Sequence, residues 1–95
     1  MNENEKFNFH PSYYIKEYLE EMDITQDEFA KRLGVSGKQI SLILNENASI
    51  TPDIAYKLSK LLGTSVLLWL TLQAKYDAVV VEQKDLEKFE EEKNI

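Results

Sequence analysis

Residues 25–45, "TQDEFAKRLGVSGKQISLILN", decide the fold. Thr25 followed three positions later by Glu28 is a capping box: the hydroxyl accepts one unpaired backbone N–H while the carboxylate reaches back to another. Ser36 and Gln39 repeat the device, so two helix starts stand eleven residues apart. Between them Gly34 predicts a helix end, because glycine enters the left-handed conformation at little cost. Phe29, Ala30 and Leu33 share the inner face of the first helix, and Ile40, Ile43 and Leu44 that of the second. Ala30 is the small residue required where two helices cross closely. Phe29, Leu33, Val35, Ile40 and Ile43 fix the pair onto a core. The spacing of all these elements together predicts a helix-turn-helix unit, a far more specific signal than any one of them. A plain helical hairpin within a bundle is the competing reading.

The same signals extend outward from this unit. Pro11 predicts the start of a first helix, where a missing N–H costs nothing. Tyr14, Ile15, Tyr18, Leu19 and Met22 form its apolar stripe, and Glu17, Glu20 and Glu21 leave the other face acidic. Thr51 and Pro52 open a fourth helix carrying Ile54, Ala55, Leu58, Leu61 and Leu62, which Gly63 ends. A fifth begins near Thr64 or Ser65. Its residues Val66, Leu67, Leu68, Trp69, Leu70 and Leu72 cover nearly every direction around the axis, so it is buried on more than one side. Either it is a central core helix, or its second side meets another copy of the chain. The dimer reading assigns Val66, Leu67, Trp69, Leu70, Leu72, Gln73 and Tyr76 to that contact. Residues 79–95 are ambiguous: "VVV" favours a strand, while "EQKDLEKFEEEKN" favours a helical extension that frays at the end. The fold class is therefore all-α, five helices in residues 1–78 with an acidic extension over 79–95.

Ninety-five residues suit one small domain, and a chain this short gains from a partner subunit. No cysteine is present, which fits a reducing cytoplasm and removes disulfides and thiolate metal sites. The first nine residues have no apolar core of a signal peptide, and "SVLLWLTL" is too short to span a bilayer, so no membrane partner is expected. The formal net charge is −6, unevenly placed. Residues 11–24 and 79–95 each carry a net of −3, whereas residues 25–63 carry +1. A basic domain binds DNA through counterion release, so this chain has a weak electrostatic footprint per subunit.

In a helix-turn-helix the second helix lies in the major groove with its N-terminal half toward base edges. Ser36, Gly37, Lys38, Ser41 and Leu42 face outward there. Lys38 is suited to guanine acceptors, Ser41 to either base type and Leu42 to a thymine methyl; Gly37 lets the backbone approach closely. Gln26, Gln39, Asn45 and Asn47 are placed to hold phosphates, with the backbone N–H groups at the two helix starts. His10 is the only histidine and lies in an "HP" helix start, not beside a carboxylate. No nucleophile motif or phosphate-cradling loop occurs, so no enzyme activity, cofactor or metal is expected.

Residues 10–77 resemble the HigA-type antitoxins of the Xre-like helix-turn-helix superfamily, also described as VapI-like regulators. The superfamily likeness rests on residues 25–45. The narrower one rests on "HP" before the first helix, "ISLILN", "ITPDIAYKLSKLLGTS" and "WLTLQAKYD". The resemblance implies a lambda-repressor-like bundle that acts as a dimer, binds double-stranded operator DNA to repress its own operon, and neutralises a cognate basic RelE/HigB-like mRNA endonuclease. It also gives the acids a purpose. Glu17, Glu20, Glu21 and Asp23 on the first helix, with the acidic tail, would steer a cationic toxin; the plainer reading is a solvated face. The family usually continues with asparagine, glycine and a basic residue after the reading helix, where Asn45, Glu46 and Asn47 stand here. Asparagine tolerates the left-handed conformation, so a cap by an asparagine stays open, and Glu46 opposes phosphate binding. A free-standing Xre-type repressor without a toxin is the alternative, and a helix-turn-helix that serves only protein contacts is a third reading.

Overall fold

The computed structural model describes residues 9–93, with side-chain surroundings through Asp85. Five helices follow one another among these residues: α1 Ser12–Met22, α2 Gln26–Leu33, α3 Gly37–Leu44, α4 Pro52–Leu62 and α5 Val66–Lys93. The expected starts of α2, α3 and α4 are each capped by a side chain. Thr25 accepts from the Glu28 N–H at 3.1 Å, Ser36 from the Gln39 N–H at 3.1 Å and Thr51 from the Ile54 N–H at 3.3 Å. Each such cap contributes about 1 kcal/mol. The capping boxes are only half made: the Glu28 carboxylate turns to Arg32 at 3.5 Å, and among the described residues neither Glu28 nor Gln39 bonds back to its cap. α5 starts one residue after Ser65, whose hydroxyl accepts from the Leu68 N–H at 3.0 Å.

The core is a single cluster drawn from every helix. Phe29 and Ile40 are fully enclosed, and Ile15, Ile43, Ile54, Ala55, Leu58 and Trp69 close around them. α2 packs on α3 and α4, α1 packs on α3, and α5 packs along α4. Buried Ala30 stands in α2, which packs directly on α3. Removing a side chain of Phe29's size from such a site costs about 3–5 kcal/mol.

Two expectations are settled at the C-terminal side. Residues 79–81 continue α5 without a break, so "VVV" is helical rather than a strand. Leu86 onward falls outside the described side chains, including Glu87, Glu90, Glu91 and Glu92, and the expected frayed end at residues 94–95 lies outside the described residues. The all-round apolarity of α5 also resolves. Trp69 is only 3% exposed, packs into the core of its own chain, and donates its indole N–H to Thr64 Oγ1 at 2.7 Å. Gln73, 6% exposed, accepts the Ile50 N–H at 2.8 Å. Both are corrections to the expected dimer contact: these side chains are consumed inside one subunit. Leu67, by contrast, is 73% exposed.

Candidate nucleic-acid interface

α3 presents the face that its spacing predicts. Ile40, Ile43 and Leu44 point inward, while Gly37, Lys38, Gln39 and Leu42 are exposed and Ser41 is half-buried. Among the described residues the Lys38 ammonium has no ion-pair partner, so it is available to a ligand. Gln26 is exposed at the first position of α2. The first N–H groups of α2 and α3 have no acceptor within their helices, as at every helix start. Those helix starts point positive ends outward and so favour an anion such as a phosphate.

Two features of this surface escape the sequence pattern. Asp27 lies against the start of α3, where a methyl group on Gly37 would sit 3.4 Å from its Oδ1. An acid therefore stands at the very end that favours anions. Of the five bases in residues 25–63, only Lys38 is on α3. Arg32, Lys57 and Lys60 instead line a cleft of about 350 Å³ between α2 and α4, with Tyr56 and no α3 residue in its wall. There Lys57 pairs with Asp53 at 3.2 Å and the Lys60 ammonium lies 5.6 Å from the Tyr56 ring centre. Three of the five bases in the middle of the chain thus line a cleft to which α3 contributes no residue.

The end of α3 departs from expectation. The sequence assigns Asn45 to phosphate, but its amide donates to the Ser41 carbonyl at 2.9 Å and contacts Ser41 Oγ at 3.4 Å. Asn45 is exposed, and within the chain its amide backs onto its own helix. Asn45 does not take the left-handed conformation, since its φ is −94°. Glu46 does, with φ of 61°. The Glu46 N–H bonds to Ile43 O and the Asn47 N–H to Leu42 O, which closes the helix in a Schellman motif. Asn47 remains exposed.

Long-range ties hold the segment after α3. Tyr76 on α5 donates its hydroxyl to Glu46 Oε1 at 3.0 Å, an exposed bond within its own chain. The carboxylate acceptor holds the Tyr76 hydroxyl above its usual pKa. His10 stands edge-on to the Tyr76 ring, centres 4.9 Å apart. It is buried, and its Nδ1 accepts the Ser12 N–H at 3.1 Å, which makes it a helix cap as its position suggests. Burial holds the His10 pKa below the ordinary value, against the opposing pull of Glu46, the Ala48 carbonyl and Asp77. Sequence separations of 30 and 23 residues hide the Tyr76 and Gln73 ties from any local pattern.

Between α1, α4 and α5, Glu17 and Glu21 line a groove of about 500 Å³ together with Tyr14, Tyr18, Leu62, Thr64, Leu68, Trp69 and Leu72. Glu20 and Asp23 are exposed nearby on α1 and at its end. A second, shallower groove of about 450 Å³ runs along α5 over Leu67, Leu70, Thr71, Ala74, Lys75 and Ala78. No helix among the described residues is long and apolar enough to cross a membrane.

Comparison with known proteins agrees with this geometry. Residues 15–69 match the helix-turn-helix family. A solved structure from Nostoc punctiforme, described as that of a putative antidote protein of a plasmid maintenance system, is 41% identical. It superimposes with a TM-score of 0.85, covering 87% of this chain and 91% of that one. The Pseudomonas aeruginosa antitoxin HigA, solved with the higBA promoter, is 29% identical with a TM-score of 0.78, covering 88% and 92% of the two chains. The Escherichia coli HTH-type transcriptional regulator YbaQ is 38% identical over 68 residues, 72% of this chain; the chain spans 60% of that relative's length. By their descriptions these are an antidote protein, an antitoxin solved with a promoter and a transcriptional regulator. The chain belongs to the helix-turn-helix family, in its Xre-type group, and is of the HigA-like antitoxin kind.

Proposed function

We propose that this chain represses its own operon by binding operator DNA as a dimer and neutralises a cognate basic endonuclease toxin of the RelE/HigB-like kind. The single observation that carries the DNA half is the outward row Gly37, Lys38, Gln39, Ser41 and Leu42 on a helix whose other face is locked into the core. Lys38 and Ser41 donate to base acceptors, Leu42 meets a thymine methyl, and Gln26, Ser36, Gln39 and Asn47 hold phosphates with the helix starts. One base on the reading helix makes a weak footprint. A dimer places two such helices about one DNA turn apart, which offsets it.

The dimer contact proposed here is narrower than the sequence reading. With Trp69 and Gln73 buried internally, the face left on α5 is Leu67, Leu70, Thr71, Ala74, Lys75 and Ala78, with half-buried Tyr76 on the same helix. Val66 and Leu72 are half-buried against the chain's own core and contribute their edges. For the toxin, the groove rimmed by Glu17 and Glu21 pairs an apolar floor with negative charge, which suits a basic protein presenting an apolar side chain. Glu20, Asp23 and the acidic extension from residue 79 would steer its approach. The likeness to YbaQ, a transcriptional regulator, favours a repressor without a toxin as the second reading.

Co-expression separates the two. A short neighbouring reading frame for a basic protein should arrest growth alone, and this chain should restore it. A neighbour that leaves growth unaffected, with operator binding intact, selects the free-standing repressor.

A further inference from the structure

Glu46 puts an acid beside the reading helix in the least comfortable backbone state available. A left-handed φ costs a residue with a Cβ stabilisation that glycine keeps. The carboxylate is also a hazard, two residues past the end of a helix meant to approach phosphates. Yet it does not hang free. Its Oε1 takes the Tyr76 hydroxyl at 3.0 Å, and Tyr76 is braced edge-on by His10. One turn earlier on α5, Gln73 takes the Ile50 N–H at 2.8 Å and is itself fixed by donating to Asp77 Oδ1 at 3.0 Å. The two α5 side chains therefore grip both ends of the segment between α3 and α4.

We infer that Tyr76 is a positioning residue for operator binding, whose hydroxyl holds the Glu46 carboxylate against α5 and so keeps a negative charge from swinging toward the phosphates. The inference rests on α3 being the reading helix. An ordinary helix cap gives no reason for a tyrosine thirty residues away to donate to the cap's side chain. A charge that must be restrained does. An acid held on the α5 side still lowers the local potential, but at greater distance from the DNA, and solvent and salt screen it. Released, it lies in the path of the phosphates.

The test is a double-mutant cycle on DNA affinity, with a labelled fragment of the chain's own upstream region at low and moderate salt. Tyr76→Phe keeps the ring against His10 and removes only the donor. It should weaken binding about five-fold at low salt, with the deficit shrinking as salt rises. Glu46→Gln should strengthen binding in both backgrounds, and in a chain that already carries Glu46→Gln, Tyr76→Phe should change nothing. Melting temperatures of all four proteins confirm that folded chains are compared. An equal loss from Tyr76→Phe whether or not residue 46 is charged would overturn the inference, as would no loss in the unaltered background. If the unaltered chain binds no upstream DNA even at low salt, the reading of α3 falls and this inference with it, an outcome distinct from binding that ignores Tyr76.

Discussion

Two helices of the helix-turn-helix unit end in the same hydrogen-bond pattern by different means. α2 closes with Gly34 at φ 83°, its N–H bonded to Lys31 O and the Val35 N–H to Ala30 O. α3 closes with Glu46 at φ 61°, bonded to Ile43 O, with the Asn47 N–H on Leu42 O. The first turn is solved locally: glycine meets no steric penalty, and nothing lies within 4 Å of where its Cβ would be. The second is solved from a distance, by a tyrosine and a glutamine on α5. A turn held by its own residue is rigid whatever happens elsewhere, whereas a turn held by another helix depends on that helix staying in place.

The contrast can be broken in several ways, taken from the largest expected effect downward. Gln73→Leu removes the acceptor of the buried Ile50 N–H, and an unpaired buried donor costs about 1–3 kcal/mol; urea denaturation should show that loss. Gly34→Ala places a Cβ in open space but at a left-handed φ, so its cost is purely conformational, about 1–2 kcal/mol by the same measurement. Glu46→Gly should act with the opposite sign. It relieves the same backbone strain and gives up an exposed hydrogen bond, so stability should rise by at most about 1 kcal/mol. A loss on Glu46→Gly as large as that on Gly34→Ala would erase the distinction between the two turns.

The smallest effect is a pH dependence at the distant end of the Glu46–Tyr76–His10 contact. Burial depresses the His10 pKa in the folded chain, so the unfolded chain binds a proton more readily. The contribution of neutral His10 is complete above its unfolded value of 6.5 and is lost as pH falls through the lower folded value. Glu46 and Asp77 soften the shift and Lys16 adds to it. Between neutral pH and the onset of carboxylate titration, the unaltered chain should lose stability more steeply than His10→Asn. Parallel slopes would show that His10 is not buried neutral.

The difference between the two turns also explains what the sequence makes legible. Caps at Thr25, Ser36 and Thr51, the glycine stop at 34 and the inward faces of α2 and α3 are set by residues within four positions of one another, and all are found as read. The outward row on α3 follows from the same period. The ties of Gln73 to Ile50 and Tyr76 to Glu46 join residues that only the folded chain brings together, and no local spacing encodes them. Trp69 misled for a related reason. An all-round apolar helix fixes how much of it is covered but not which covering side belongs to its own chain.

The central claim is that α3 reads DNA, and the most direct measurement is a fluorescence titration of the chain's own upstream fragment with the unaltered protein and with Lys38→Ala/Gln39→Ala. Both side chains are exposed, so the doubly altered chain should melt near the unaltered temperature. Its operator affinity should fall at least about thirty-fold, as expected from one lost base contact and one lost phosphate contact. Equal affinity for the two proteins, each shown to be folded, would contradict the assignment of α3 as the reading helix.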